Sequence, residues 1–212
     1  MYYNGRREVA VGDINSTEKG SGARYNDGKT PFHLIPAANL LRFWRGTFEE
    51  IDDGYVACHA LKCLDFLERG QPLLFRQSLY HLSPAVGEAA RVFEYGRKKY
   101  AAWNWAKGMP WSVPAASLKR HIEAMVDGDY YDEESGLLHV GHVVCNIIML
   151  DHYIDYYPEG NDFPVFAEKP TIASFKPQEP MPDEIGDNQW ADGKDYHDYL
   201  NVRAGRDDCD GI

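Results

Sequence analysis

The stretch from Ser135/Gly136 to Tyr156 is the most apolar helical segment of the chain, yet it carries a polar stripe. His139, His142 and Asn146 stand at i, i+3 and i+7, so on a helix they share one narrow face. Around them lie Leu137, Leu138, Val140, Val143, Val144, Ile147, Ile148 and Leu150. Burying such a stripe is costly unless partners satisfy it. Whatever satisfies it is the strongest pointer to function.

Four further segments carry helical periodicity. Pro36 opens an amphipathic helix running to about Ile51, and Tyr55–Arg69 forms a second, ended by Gly70 and Pro72. Ser83-Pro84 starts a third reaching Lys99, with Ser as cap and Pro at the first position. Ser112–Val126 is the fourth, closed by Asp127-Gly128, which makes the stripe-bearing segment the fifth. No alternating β-branched runs compete, so the fold class expected is all-α. The 212 residues divide into an extended, Gly- and Asn-rich arm (1–35), a helical domain (36–157) and a Pro-rich, acidic tail (158–212). Much of 183–212 is expected to be mobile.

Composition narrows the function classes. No run approaches the ~18–20 apolar residues of a membrane span, and the N-terminal MYYNGRREV lacks the apolar core of a signal peptide. A cytoplasmic location is expected. Cys58, Cys63, Cys145 and Cys209 have no metal-finger spacing and read as free thiols in a reducing compartment. The net charge of −11 argues against stable nucleic-acid binding through phosphates. It leaves room for a local basic pocket for a small anion.

Helical phase sorts the polar residues. On the third helix Glu88, Arg91, Tyr95 and Lys98 share a face, a carboxylate followed by two cations. On the fourth, Arg120, Glu123 and Asp127 fall on the solvent side, whereas His121 joins Leu118, Ala124 and Met125 on the apolar side. An inward histidine is more often a satisfied core group than a ligand. Two more inward histidines on the fifth helix make convergence on a metal or a phosphate an open alternative. The connector GDYYDEESG (128–136) adds Asp129, Asp132, Glu133 and Glu134. They cap the following helix, or one or two complete a Mg²⁺ or Mn²⁺ site. Zinc fits less well without HExxH or clustered cysteines.

Three blocks in order, GARYNDGKTPFHLIP, FEYGRKKYAAWNWAKGMPW and LKRHIEAMVDGDYYDEESGLLHVGHVVCN, resemble the phage dATP/dGTP diphosphohydrolase family. Its members are distant, MazG-like relatives of the all-α nucleoside triphosphate pyrophosphohydrolases. The resemblance covers roughly residues 21–156, most specifically through YGxKKYxxxNW, RHxxA and DxESGxxHxxH. It implies a MazG-like bundle of about five helices that hydrolyses purine deoxynucleoside triphosphates to monophosphate and pyrophosphate. A divalent metal would assist, in a homodimer or larger oligomer serving phage nucleotide metabolism in the host cytoplasm. MazG-type enzymes hold metals with ExxE and a later ExxD. Here Arg91 replaces the second acid after Glu88, and HxxH (His139, His142) stands where ExxD is expected.

The site expected on this basis has Glu88, His121 and Asp132 as catalytic groups. Glu88, Asp132, Glu134, His139 and His142 hold Mg²⁺ or Mn²⁺. Arg24, Asn26, Lys29, Arg91, Lys98 and Lys99 contact phosphates, while Asn104 and Asn146 read the purine edge. One of Tyr95, Tyr100, Trp103, Trp105 and Trp111 is available to stack on a base. Two other readings compete: a nucleotide-binding sponge without catalysis, and an HD-type phosphohydrolase. Against the latter, the adjacent His–Asp pairs, Asp151-His152 and His197-Asp198, are in the wrong order or in the tail.

Overall fold

In the computed structural model, residues 10–25 and 28–164 are described, and among them the protein is all-α. Six α-helices follow one another: α1 (Ala37–Trp44), α2 (Gly54–Glu68), α3 (Pro72–Gln77), α4 (Val86–Lys99), α5 (Ser112–Val126) and α6 (His139–Tyr156). The N-terminal arm adds β1 (Ala10–Val11) and β2 (Arg24–Tyr25), a two-residue antiparallel pair with Ala10 opposite Tyr25. Asn26 lies outside the described residues, as do Cys209 and the expected tail from residue 165 onward.

α6 is buried on nearly every side, with α5, α4 and α2 packed against it. Val143, Val144, Ile147, Leu150 and Tyr153 of α6 join Leu61, Leu64, Phe75, Leu118 and Ile122 in one core. The α4–α6 contact is close because position 141 is glycine. A Cβ there would stand 2.9 Å from the Glu88 backbone.

Helix ends depart from the sequence expectation where tertiary contacts decide them. α1 stops at Trp44, and a 3-10 turn (Thr47–Glu49) takes the chain to Gly54, which lies so close to Phe48 that a Cβ would meet its carbonyl oxygen at 2.0 Å. Pro72 does not merely end α2; it is the first residue of α3, where its missing N–H costs nothing. Ser83-Pro84 falls inside a 3-10 segment (Leu79–Ala85), and α4 begins at Val86 with no side-chain cap. α6 starts at His139 because residues 130–138 double back on themselves. Tyr131 bridges Leu138, Asp132 N–H donates to Leu137 O (2.8 Å), and His139 N–H donates to Tyr130 O (2.9 Å).

The arm lies against this helical body. Gly22 N–H donates to Gly108 O (2.8 Å), so close that a Cβ on Gly22 would come within 2.6 Å of that oxygen. Residues 158–164 also pack on the body: Trp111 N–H donates to Gly160 O (3.0 Å), and Phe163 meets the Trp111 ring edge-on at 6.0 Å.

Candidate functional site

The arm, α4, α5, α6 and the 130–138 hairpin enclose a cavity of about 350 Å³. Its polar end is built on the stripe foreseen in α6. His121 of α5 and His139 of α6 bring their Nδ1 atoms to 2.8 Å, so one ring donates and the other accepts. The His142 ring stacks on His121, with centroids 4.3 Å apart and planes 20° apart. Ligand atoms of His121, Asp132 and His139 all lie within 4.8 Å of one another.

Asp132 reaches this cluster because the hairpin turns on Ser135. Asp132 Oδ2 accepts from Ser135 N–H (2.9 Å) and from Ser135 Oγ–H (2.7 Å). Burial raises the Asp132 carboxyl, but the Ser135 bonds and neighbouring imidazoles outweigh it and hold the group below its ordinary value. The hydroxyl therefore gives its single proton to a carboxylate. The 2.9 Å contact between Ser135 Oγ and His142 Nε2 then needs an Nε2–H donor. His142 is fixed in that tautomer.

All three imidazoles are kept neutral. Burial, then the charges of His142 and His139, push His121 well below its ordinary value. Burial lowers His139 and brings His142 down to about 4, against the pull of Asp132. Neutral imidazole is the form that ligates metal, so the donor set suits a cation.

Around the cluster stand cations. Arg24, Lys29, Arg97, Lys99 and Arg120 line the cavity against two acids, Asp132 and Glu134, in a chain of net charge −11. Arg24 comes from the arm, its guanidinium donating to Asn146 Oδ1 (2.8 Å) and Ser117 Oγ (2.7 Å). Burial, then the charge of Arg24, depress Arg120 to about 10, and burial depresses Lys29. Cations crowded until they disfavour one another's charge form a receptacle for an anion.

Several expected site residues stand elsewhere. Glu88 does not line the cavity; it pairs with Arg91 at 3.4 Å, and Lys98 pairs with Glu94 at 3.6 Å. For Arg91 and Lys98 the reason is helical phase: Val92, Tyr95 and Lys99 form α4's cavity face, and Arg91 and Lys98 lie about 100° away, one residue earlier. Glu88 shares the phase of that face but lies a turn nearer the helix N-terminus, where its backbone abuts Gly141 of α6. Glu134 lines the cavity but is held by Lys99 and by Tyr95 Oη–H (3.1 Å) rather than joining the converging donors. His142 likewise supports the cluster without belonging to it. Asn104 and Asn146 line the cavity, and protein groups bond both amides: Asn104 brackets the Ala23 backbone (3.2 and 2.9 Å), and Asn146 Nδ2 donates to His142 O (2.7 Å).

Other residues enter unforeseen. Arg120, expected at the solvent side, donates to Thr30 O (3.1 Å) because the arm covers that face of α5. Ser135 carried a usable signal, since Asp-x-x-Ser is a local side-chain-to-backbone turn pattern. Ser117 carried none.

Fold and site together define an all-α protein with a cation-walled cavity over a two-histidine, one-carboxylate cluster. Residues 75–162 match the family described as dATP/dGTP diphosphohydrolase, N-terminal, which supports the family resemblance seen in the sequence. A dATP/dGTP diphosphohydrolase of Salmonella phage PMBT28 is 27% identical over 97 residues, covering 45% of this chain. The matched region spans only 33% of that relative's length. No solved structure matches.

Proposed function

We propose that the protein is a metal-dependent diphosphohydrolase of purine deoxynucleoside triphosphates, releasing the monophosphate and pyrophosphate. The observation that carries this reading is the convergence of His121, His139 and Asp132 in one cavity with Arg24, Lys29, Lys99 and Arg120. The matched family and the phage relative's name supply the substrate class. His121, Asp132 and His139 would hold the ion. Two imidazoles and one carboxylate suit Mn²⁺ better than Mg²⁺, which favours oxygen ligands. The bound ion would supply charge neutralisation and a lowered pKa for an attacking water.

The chain's own groups do the rest. Arg24, Lys29, Lys99 and Arg120 bind and orient the phosphate chain and offset the charge that builds on the leaving pyrophosphate. Ser135 holds Asp132 and His142 in one orientation, and the His142 ring fixes the plane of His121.

Purified protein is incubated with each deoxynucleoside triphosphate and Mn²⁺ or Mg²⁺, and products are separated by ion exchange. Monophosphate and pyrophosphate are expected from dATP or dGTP, and chelation should abolish turnover. His121→Ala and His139→Ala should each keep the helical spectrum while losing turnover at least 100-fold and Mn²⁺ affinity about 10–100-fold. Nucleotide binding without any turnover in the unaltered protein would show a sequestering protein instead. Free triphosphate with nucleoside would show a different phosphohydrolase chemistry.

A further inference from the structure

Beyond the polar cluster, the cavity has an apolar end walled by Val92, Phe93, Tyr100, Trp103, Trp105 and Met109. Its two indoles differ sharply. Trp105 is partly buried, against Phe93 at 4.9 Å and the edge of His152 at 5.1 Å. Trp103 stands at the rim, 72% exposed, its ring centroid 6.1 Å from that of Trp105.

The backbone beneath Trp103 is unusual. Ala101 has φ 151° and Trp103 has φ 61°, conformations that favour glycine or asparagine and make a bulky residue an outlier. A chain needing only a turn here would use glycine. The strained segment is pinned by Asn104, which is buried and brackets the Ala23 backbone of the arm with both ends of its amide. Strain held in this way gathers at ligand clamps. Here its effect is to fix a large apolar ring, exposed to water, at the mouth of the cavity.

We infer that Trp103 is the base-stacking residue of the site, presenting its indole face to a nucleobase whose phosphates lie at the histidine and arginine end. The inference rests on the nucleotide reading given above and deepens it, because it divides recognition between two ends of one cavity. Stacking is tolerant of base identity, since every base offers a π-face. Trp103 therefore selects nucleotides over bare polyphosphates rather than one purine over another.

The test compares dATP and dGTP made non-hydrolysable by an α,β-methylene bridge with inorganic tripolyphosphate, each titrated calorimetrically with Mn²⁺ into the unaltered full chain, Trp103→Ala and Trp103→Phe. Trp103→Ala should bind tripolyphosphate as the unaltered chain does and both nucleotides about 10-fold more weakly. Trp103→Phe should fall between. Nucleotide, but not tripolyphosphate, should quench indole fluorescence in the unaltered chain, and that quench should vanish in Trp103→Phe. Equal losses for all three ligands, or none for the nucleotides, would overturn the assignment of Trp103. Failure of the unaltered chain to bind tripolyphosphate or either nucleotide would instead remove the nucleotide reading itself.

Discussion

Lys119 shows how far single residues escape a reading of the sequence. It sits one position from Arg120 and two from His121, in a stretch that looks like any solvated basic turn, yet it has no exposed surface. Its Nζ donates to Glu68 Oε1 (2.7 Å) and to the Ile35 carbonyl, while Glu68 Oε2 accepts from Ala37 N–H (2.8 Å). One carboxylate thus ties α5 to the start of α1. Glu68→Ala strands a buried ammonium and should lower unfolding free energy by about 3–5 kcal/mol, whereas Lys119→Met removes the charge with its burial and should cost less. Urea titration of both variants checks the order, and Glu68→Ala within about 1 kcal/mol of the parent would sink the argument. The histidine stripe was legible because it broke an apolar period. Lys119 broke none that a single helix could reveal, since its partner lies on α2. The same limit applied to Asn146, whose polar character was plain but whose partner, Arg24, lies 122 residues away.

At the scale of elements, the sequence showed the long helices and missed what fixes their ends. The acids of 129–134 read either as caps for the fifth helix or as metal ligands. Asp132 bonds Ser135 inside the hairpin, and the first N–H of α6 is satisfied by Tyr130 O. The hairpin matters to the site because it places Asp132 beside two histidines that are fixed by helices. The pairing of α4 with α6 has its own local determinant in Gly141. On an exposed helix, Gly→Ala stabilises by about 1 kcal/mol. Here the added Cβ would stand 2.9 Å from the backbone of Glu88, which cannot swing aside as a side chain can. Gly141→Ala should therefore reverse the usual sign and destabilise by about 1–3 kcal/mol. Chemical denaturation measures this, and a stabilised variant would show that the two helices separate at little cost.

For the molecule as a whole, the segments outside the long helices complete both the cavity and the body. The arm delivers Arg24, and residues 158–164 close the start of α5. Low periodicity put both outside the helical domain, although Arg24 and Lys29 of the arm were expected at the phosphates; loops held by backbone and side-chain bonds leave no repeating pattern in sequence. Asp162 takes the capping role that α5 lacks locally, accepting from Ser112 N–H (2.8 Å) and Ser112 Oγ–H (2.5 Å). A carboxylate at a helix N-terminus also complements the dipole. Trp111, immediately before α5, is held by Gly160 O, by Tyr157 O through its indole N–H (2.9 Å), and by the Phe163 ring. A chain ending at Pro158 loses the cap, worth about 1 kcal/mol, the aromatic contact, about 0.5–1.5 kcal/mol, and one backbone bond. A chain ending at Pro164 keeps all three. Both lack everything beyond 164, so the comparison isolates the effect of the six residues 159–164. The longer chain should unfold at higher urea, by about 2–4 kcal/mol in free energy. Because α5 also carries Ser117, Arg120 and His121, the shorter chain should bind Mn²⁺ more weakly while remaining helical. Identical midpoints for the two chains would mean that α5 needs no closure from this segment, and that the helical domain ends where its periodicity does.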